Sequence, residues 1–547
     1  MLDPAKQKKI WDLEHTSFLL ETYFGKHFVR ALAARDRGRL AGMLHESFSG
    51  KVLDPAGAES LAAGPVVERR RSAGRAAATE VGAAAFLEHL TGSFAGFAEF
   101  RQPFFKVLFI DLPPEPGGAW PAKISIGAIG RSAGGAPLEQ VWNLDAEFRF
   151  ADEEQVKAGR GTLLRADVTG VVERSSPRIL MEEVTRPTGL DALPLIDGWD
   201  LPAGSVPGHR YQLAVEDYDR DGWLDIAIGA EDGRPYLLRS IEGRRFENVA
   251  AAVGLTPPET SPRSLELHAL AGWIDYDNDG WPDLLLGYRL YRNDRGRRFV
   301  DVTAGAGLVF DRVPFGCVVA DYDRDGRLDL YILYQKGFKG RPEGKRPWVG
   351  DPYAGAENHL WRNEGGGRFR NVTAEAGAGG GRHQHFAGAA FFHDGDAAPD
   401  LYLANDFGTN VLLRNRGDGT FEDVTTATGT GDYSTSMGVA AGDLDNDGTN
   451  ELYVANMYSK QGRRVVAHVA PEDYPPGIHA MIVGALAGSR LYRRSPTGRY
   501  DELSRELNVN AVGWAYAPAM VDLDGDGWLD LYATAGYNSV DREKPDG

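Results

Sequence analysis

A single cysteine, Cys317, stands in 547 residues, which excludes an intramolecular disulfide framework and any zinc or iron–sulfur site built from several thiolates. Basic residues are in deficit too: 60 lysines and arginines face 78 aspartates and glutamates, a formal charge of -18. Phosphate contacts need a basic face, so a nucleic-acid binder is set aside. No run of about 18 apolar residues occurs, and nothing reads as a membrane span. The opening MLDPAKQKKIWDLEH lacks the apolar core of a signal peptide. G-x-S-x-G, H-E-x-x-H and phosphate-loop motifs are missing as well, leaving hydrolase and nucleotide chemistry without support. What is present, with 42% apolar and 25% charged residues, is a globular chain long enough for two or three domains.

The acidity is localised. Residues 1–180 hold 23 basic and 22 acidic side chains, so the remainder carries a net charge of -19. Within that remainder the carboxylates recur as D-x-D-x-D-G-x-x-D. The copies are Asp217, Asp219, Asp221, Asp225; Asp275, Asp277, Asp279, Asp283; Asp321, Asp323, Asp325, Asp329; Asp443, Asp445, Asp447, Glu451; and Asp522, Asp524, Asp526, Asp530. Gly222, Gly280, Gly326, Gly448 and Gly527 fill the sixth position. A degraded sixth copy has Phe392 first and Ala397 in place of the glycine, but keeps Asp394, Asp396 and Asp400.

Hard oxygen ligands on alternate residues of a tight turn suit Ca²⁺, which takes six to eight oxygens at about 2.3–2.6 Å. The glycine supplies the positive φ that wraps the turn, and the ninth carboxylate closes the shell. A solvated acidic turn explains one copy and not five at fixed spacing, and four unscreened carboxylates would repel one another. The expectation is about five Ca²⁺. An EF-hand is excluded: its twelfth position requires glutamate, whereas Ile228 and Leu286 stand there, and the flanks alternate like strands. Five ions would take the formal charge from -18 to -8, so the acidity is mostly an ion-binding inventory.

After the loops come LYRNDRGRRFVDVTAGAGL, LWRNEGGGRFRNVTAEAGA and LLRNRGDGTFEDVTTATGT, each read as strand, glycine turn, strand. Loop-to-loop spacings of 58, 46, 71, 51 and 79 fit four-stranded blades of a β-propeller, the longer ones with insertions near 336–358 and 457–489. These repeats resemble the FG-GAP/VCBS family, most closely its bacterial branch related to cartilage acidic protein. The resemblance implies an integrin-α-like propeller, commonly of seven blades, although six repeats are counted. MEEVTRPTGL at 181–190 reads as a lone outer strand able to close the ring.

Residues 1–178 read as a smaller α+β domain ahead of a mainly β propeller over 179–547. Helical spacing runs through Trp11, Phe18, Leu19, Phe28, Leu32, Leu40 and Leu44, and GAAAFLEHLTGSF reads as another helix. Strand-like runs follow. This order, with ALAARDRGRLAGMLHESF, resembles the SnoaL-like (nuclear-transport-factor-2-like) cone. Candidate pocket residues are His45, His89, Trp120, Trp142 and Asp145; the run Arg69–Arg71 reads as a solvated loop.

In a propeller the strand entering each calcium loop is innermost, so residues seven to nine positions upstream sit near the axis. Those windows contain His209, His268, His383 and His385, with Tyr211, Trp514 and Tyr516 close in register. Imidazoles converging from separate blades suit copper or iron. Three functions follow. The first is a calcium-stabilised module binding protein, glycan or small molecule on the face opposite the loops. The second is a metalloenzyme with one copper or iron ion at the axial histidines. The third is small-molecule binding or catalysis in the amino-terminal pocket. Calcium loading favours an extracytoplasmic or secreted protein; the missing signal peptide favours the cytoplasm.

Overall fold

The computed structural model describes residues 3–195, 211–230, 234–255, 270–312, 314–335 and 355–536. They divide into two compact units: 1–183 together with 460–474, and 184–459 together with 475–547. No helix among the described residues is long and apolar enough to cross a membrane.

The first unit opens with α1 (Pro4–Leu19), capped by Asp3, whose carboxylate accepts the Ala5 N–H, with Pro4 in the first turn. A π-helical turn, Leu20–Gly25, carries the chain into α2 (Lys26–Ala33), and α3 (Arg37–Gly42) follows. A Cβ at Gly25 would fall 2.6 Å from the Phe105 ring, so glycine is what lets this turn lie on the sheet. The helical stretch is shorter than its spacing suggested: Leu44 begins a strand, and Trp11 and Phe18 are 70% and 48% exposed. The buried stripe is Ile10, Leu13, Ser17 and Leu20, the i, i+3, i+7 face of the same helix.

The strands are β1 (Leu44–Leu53), β2 (Glu59–Ala63), β3 (Val66–Ser72), β4 (Ala78–Gly82), β5 (Glu99–Ile110), β6 (Trp120–Arg131), β7 (Pro137–Arg149) and β8 (Thr162–Ser175). They form one sheet ordered β2-β3-β8-β7-β6-β5, with β1 parallel to β8 and antiparallel to β4. Helix α4 (Ala83–Ser93) precedes β5. Phe24, Phe28, Phe86, Phe105, Trp142 and Phe148 fill the core. The arginine run is not a loop: Arg69–Arg71 lies in β3, paired with Val171, Val172 and Glu173 of β8. The long run of β8 offers a partner that the Ala/Gly-rich flanks do not reveal.

One piece of this unit comes from far along the chain. Helix Lys460–Val466 brings Arg464 into bidentate contact with Glu14 (3.0 and 2.9 Å), 3.4 Å from Glu21 and 2.6 Å from the Val107 carbonyl. His468 stacks on Phe109 with centroids 4.9 Å apart.

The second unit is a β-propeller of repeated antiparallel sheets. The first sheet contains Tyr211–Glu216, Asp225–Ala230, Tyr236–Ile241 and Arg245–Asn248 in spatial order. Two more four-stranded sheets begin at Ala271–Ile274 and Gly316–Ala320. The four-stranded sets beginning at His385–Phe391 and Tyr433–Gly442 are joined into one eight-stranded sheet by pairing of Thr409 with Tyr433, and a two-stranded pair joins Ala515–Val521 to Asp530–Ala535. Residues 181–190 form no strand. Their hydrogen bonds, Thr188 N–H to Val184 O and Leu190 N–H to Thr185 O, repeat those of Val253 to Val249 and Leu255 to Ala250. The segment is the tail turn of a repeat, and its Thr188 carbonyl accepts the Phe246 N–H of the first sheet. The second insertion contains helices Lys460–Val466 and Ile478–Ala485; most of the first lies outside the described residues.

Candidate metal loops and the propeller axis

Each acidic loop joins the first strand of a sheet to the second. The first aspartate organises the turn: Asp217 accepts the N–H groups of Asp221 (3.1 Å) and Gly222 (2.9 Å), and Asp275, Asp321, Asp443 and Asp522 do the same for their own loops. The sixth-position glycines have φ between 83° and 92°. The fourth position is left-handed as well, at Arg220, Asn278, Arg324, Asn446 and Gly525. That requirement is invisible in a pattern that names only carboxylates and glycine.

The ninth carboxylate begins the second strand and is tied to the blade. Asp283 accepts the N–H groups of Tyr276 (3.1 Å) and Asn293 (2.7 Å), and Asp225, Asp329 and Asp400 repeat this geometry. Burial pushes Asp225 and Asp400 up to about 6, Asp329 to about 7 and Asp283 to about 8, against these hydrogen bonds. Oxygens of Asp217, Asp219 and Asp225 lie within 4.8 Å of one another, as do those of Asp275, Asp277 and Asp279; Asp321, Asp323 and Asp325; Asp443, Asp445 and Glu451; and Asp522, Asp524 and Asp530. One oxygen each of Asp219, Asp323 and Asp445 is buried without a hydrogen-bond partner. Convergent, partly orphaned carboxylate oxygens are a donor set suited to a hard divalent cation.

The degraded loop is different. With Phe392 half exposed in the first position, Arg414 reaches in from the third strand to bind Asp394 and approaches Asp396 at 3.8 Å. A guanidinium supplies positive charge to this loop, as Arg493 does to Asp445 at 2.9 Å in the Asp443 loop. Arginines stand at the equivalent place in every complete sheet, as Arg239, Arg292, Arg362, Arg414 and Arg493.

Sequence reasoning missed the asparagine of the R-N pairs. Asn293, Asn363 and Asn415 are buried, and their Nδ2 groups donate to the carbonyls of Tyr218, Tyr276 and Tyr322 at 2.8–2.9 Å. Each acceptor is the second residue of the preceding repeat's loop, so these amides join neighbouring blades. The signal was present in LYRN, LWRN and LLRN.

First strands of successive sheets neighbour one another, as the register argument requires. Gln212 donates to the Phe315 carbonyl, Phe315 packs on Phe386 at 4.9 Å, and Phe386 on Tyr516 at 6.4 Å. His383 and His385 have centroids 5.8 Å apart. His385 is fully buried, its Nε2 is 3.1 Å from the Gly381 carbonyl, and its Nδ1 has no hydrogen-bond partner. Burial drives its pKa down to about 4. His209 and His268 lie outside the described residues. Tyr211 pairs with Ala230 in the first sheet, and Trp514 bridges to Met457. Of the amino-terminal candidates, His89 and Trp142 line a cavity in the first unit. His45, Trp120 and Asp145 do not: Asp145 alternates outward beside buried Leu144 and Ala146 towards Lys123, and Trp120 packs on Phe150.

The FG-GAP-like repeat family matches residues 217–286, 275–332 and 393–454, each stretch containing loops of this geometry. These stretches are FG-GAP-like repeats. Among curated relatives it is 26% identical over 387 residues to cartilage acidic protein 1 of Homo sapiens, and 24% identical over 389 residues to that of Xenopus tropicalis. Both matches cover 60% of this chain and only 56–57% of the relative's length. A lectin structure from Agrocybe aegerita aligns over 60% of this chain and 76% of the lectin, at 17% identity and a TM-score of 0.34, a likeness that carries no argument. In FG-GAP terms, the degraded loop at 392–400 is a repeat whose second to fourth strands are intact.

Proposed function

We propose that the FG-GAP propeller is a calcium-stabilised binding module, with a protein or glycan engaging the face opposite the loops. The observation behind it is the orphaned, buried oxygen of Asp219, Asp323 and Asp445 within loops whose backbone N–H groups are already satisfied by the first and ninth carboxylates. Five such loops would hold five Ca²⁺ through the carboxylates of the repeat, while the Arg414-filled loop would hold none. Calcium here binds the native state and so contributes stability rather than chemistry. The demand for plentiful calcium favours an extracytoplasmic location. For residues 1–178, helices followed by a long antiparallel sheet support the SnoaL-like reading.

A second reading places copper or iron at the axial histidines. The buried, unpartnered Nδ1 of His385 beside His383 favours it. Elemental analysis of tag-free protein separates the two. Close to five calcium ions per chain and no stoichiometric transition metal support the binding module; copper or iron near one equivalent, lost in a His383→Ala/His385→Ala variant, supports the metalloenzyme. Calcium far below five equivalents in calcium-containing buffer refutes the loop assignment.

A further inference from the structure

The first unit contains a cavity of about 580 Å³ that none of the FG-GAP matches reaches. Its walls are Val52 and Leu53 of β1, Phe97, Leu138 and Trp142 of β7, and Val168 and Val171 of β8. Most of this lining is buried and apolar, and the Trp142 indole N–H is already spent on Ser93 Oγ at 3.1 Å.

Three features set the cavity apart from a packing defect. Gln140 lies two residues before Trp142 on the same face of β7, is 2% exposed, and its Nε2 has no hydrogen-bond partner. An amide orphaned in this way costs stability unless something else accepts its proton. Second, Arg71 of β3 lines the same cavity, half buried, and its guanidinium makes no hydrogen bond among the described residues. The charged groups around it are Glu173, which also faces Arg69 at 4.0 Å; Glu139, engaged by Arg174 at 2.6 Å; and Glu88, exposed at the rim. Third, Gly92, the next-to-last residue of α4, is an exposed part of the cavity lining, and a Cβ there would meet nothing within 4 Å. Here the missing side chain leaves open space.

We propose that this cavity is a binding site for an apolar, ring-bearing small molecule that carries an oxygen acceptor, a carboxylate or carbonyl, held by Gln140 Nε2 and the Arg71 guanidinium. The aromatic and aliphatic walls take the body of the ligand. His89 stands at the rim with Nδ1 on the Ala85 carbonyl at 2.9 Å, which leaves Nε2 as an acceptor facing any hydroxyl at that end. The site is independent of calcium, because every group in it belongs to the first unit.

The test uses the full chain and two fluorescent probes. 8-Anilinonaphthalene-1-sulfonate carries an anionic oxygen acceptor, and N-phenyl-1-naphthylamine has the same aromatic body without one. Gly92→Leu adds a bulky side chain to the cavity lining, so it is expected to abolish one site for both probes. Gln140→Leu and Arg71→Met are each expected to weaken sulfonate binding at that site about tenfold and to change amine binding less than twofold. Probe binding that Gly92→Leu leaves intact lies elsewhere and overturns the assignment. A site blocked by Gly92→Leu but indifferent to Gln140→Leu and Arg71→Met would be an apolar hole, which overturns the acceptor chemistry. No Gly92-dependent binding of either probe overturns the proposal entirely.

Discussion

Chelation at controlled pH distinguishes ion sites from acidic turns, and Asp283 carries the calculation. Its carboxyl is fully buried, and desolvation raises its pKa from 3.8 to about 8, even though the Asn293 and Tyr276 N–H groups favour the charged form. A carboxyl with a higher pKa folded than unfolded stabilises the fold below pH 3.8 and withdraws that stability as pH climbs towards 8. At about 1.4 kcal/mol per pH unit, the ion-free fold carries a penalty of about 4 kcal/mol at pH 7 from this residue alone. Asp329 and Asp225 act in the same sense, up to about 7 and 6. A bound cation reverses the slope, because it selects ionised loops and expels their protons. Each loop held at a hundred times its dissociation constant adds about 2.7 kcal/mol. Calorimetric melting in EDTA and in excess calcium, between about pH 5 and pH 8, is the assay. In EDTA the second unit should melt lower as pH rises; in calcium it should melt several degrees higher and lose that decline. Asp283→Asn should flatten the EDTA slope and lower the calcium-loaded midpoint. A wild-type midpoint unmoved by calcium, or independent of pH in EDTA, refutes the reasoning.

Arg464→Met should destabilise the first unit by about 3–5 kcal/mol in urea titrations, because Glu14 loses its guanidinium and Glu21 is left with the Val107 N–H; a loss under about 1 kcal/mol would make the pairs incidental. Asn363→Ala removes the bonds to the Tyr276 and Leu328 carbonyls and should cost about 1–3 kcal/mol at saturating calcium, with calcium stoichiometry unchanged. Arg414→Gln should lower stability equally with and without calcium; recovery on adding calcium would mean that the degraded loop also binds it. Arg493, 2.9 Å from Asp445 and 3.4 Å from Glu451, competes with the cation in the Asp443 loop. Arg493→Met should therefore tighten calcium binding at one site in titration calorimetry, and unchanged affinities would remove that competition.

The propeller was legible because each repeat states its loop twice, in the carboxylates and in the β-branched and aromatic alternation around them. The strand order and the edge position of the entering strand follow from that pattern. What stayed hidden is the chemistry joining one repeat to the next. Asn363 reads as part of a strand end, and only the neighbouring blade's carbonyl gives it a role. Residues 181–190 misled because VT and GL occur in strand and tail turn alike; the hydrogen bonds of Thr188 and Leu190 decide. In the first unit the long strands were readable, whereas β3 was not, because Arg69–Arg71 carries no apolar alternation and owes its form to β8. Arg464 could not be assigned from sequence at all, since its partners Glu14 and Glu21 lie over 440 residues away.

The arginine shared by all five complete sheets bears on which loops would require an ion under the proposed calcium reading. Placed on the third strand, it stands beside the third-position carboxylate in each repeat. In the Asp321 loop it lies 3.9 Å from Asp323, and in the Asp443 loop, whose first aspartate is also present, Arg493 lies 2.9 Å from Asp445. Where Phe392 replaces the first aspartate, Arg414 contacts Asp394 and reaches Asp396 at 3.8 Å. Burial alone would raise the Asp394 pKa, but hydrogen bonding to the guanidinium brings it below the ordinary value. The first carboxylate thus acts less as one ligand among several than as the residue that holds the turn open. On the proposed calcium reading, a loop without it would draw its positive charge from the chain itself, and its blade would keep its stability without calcium.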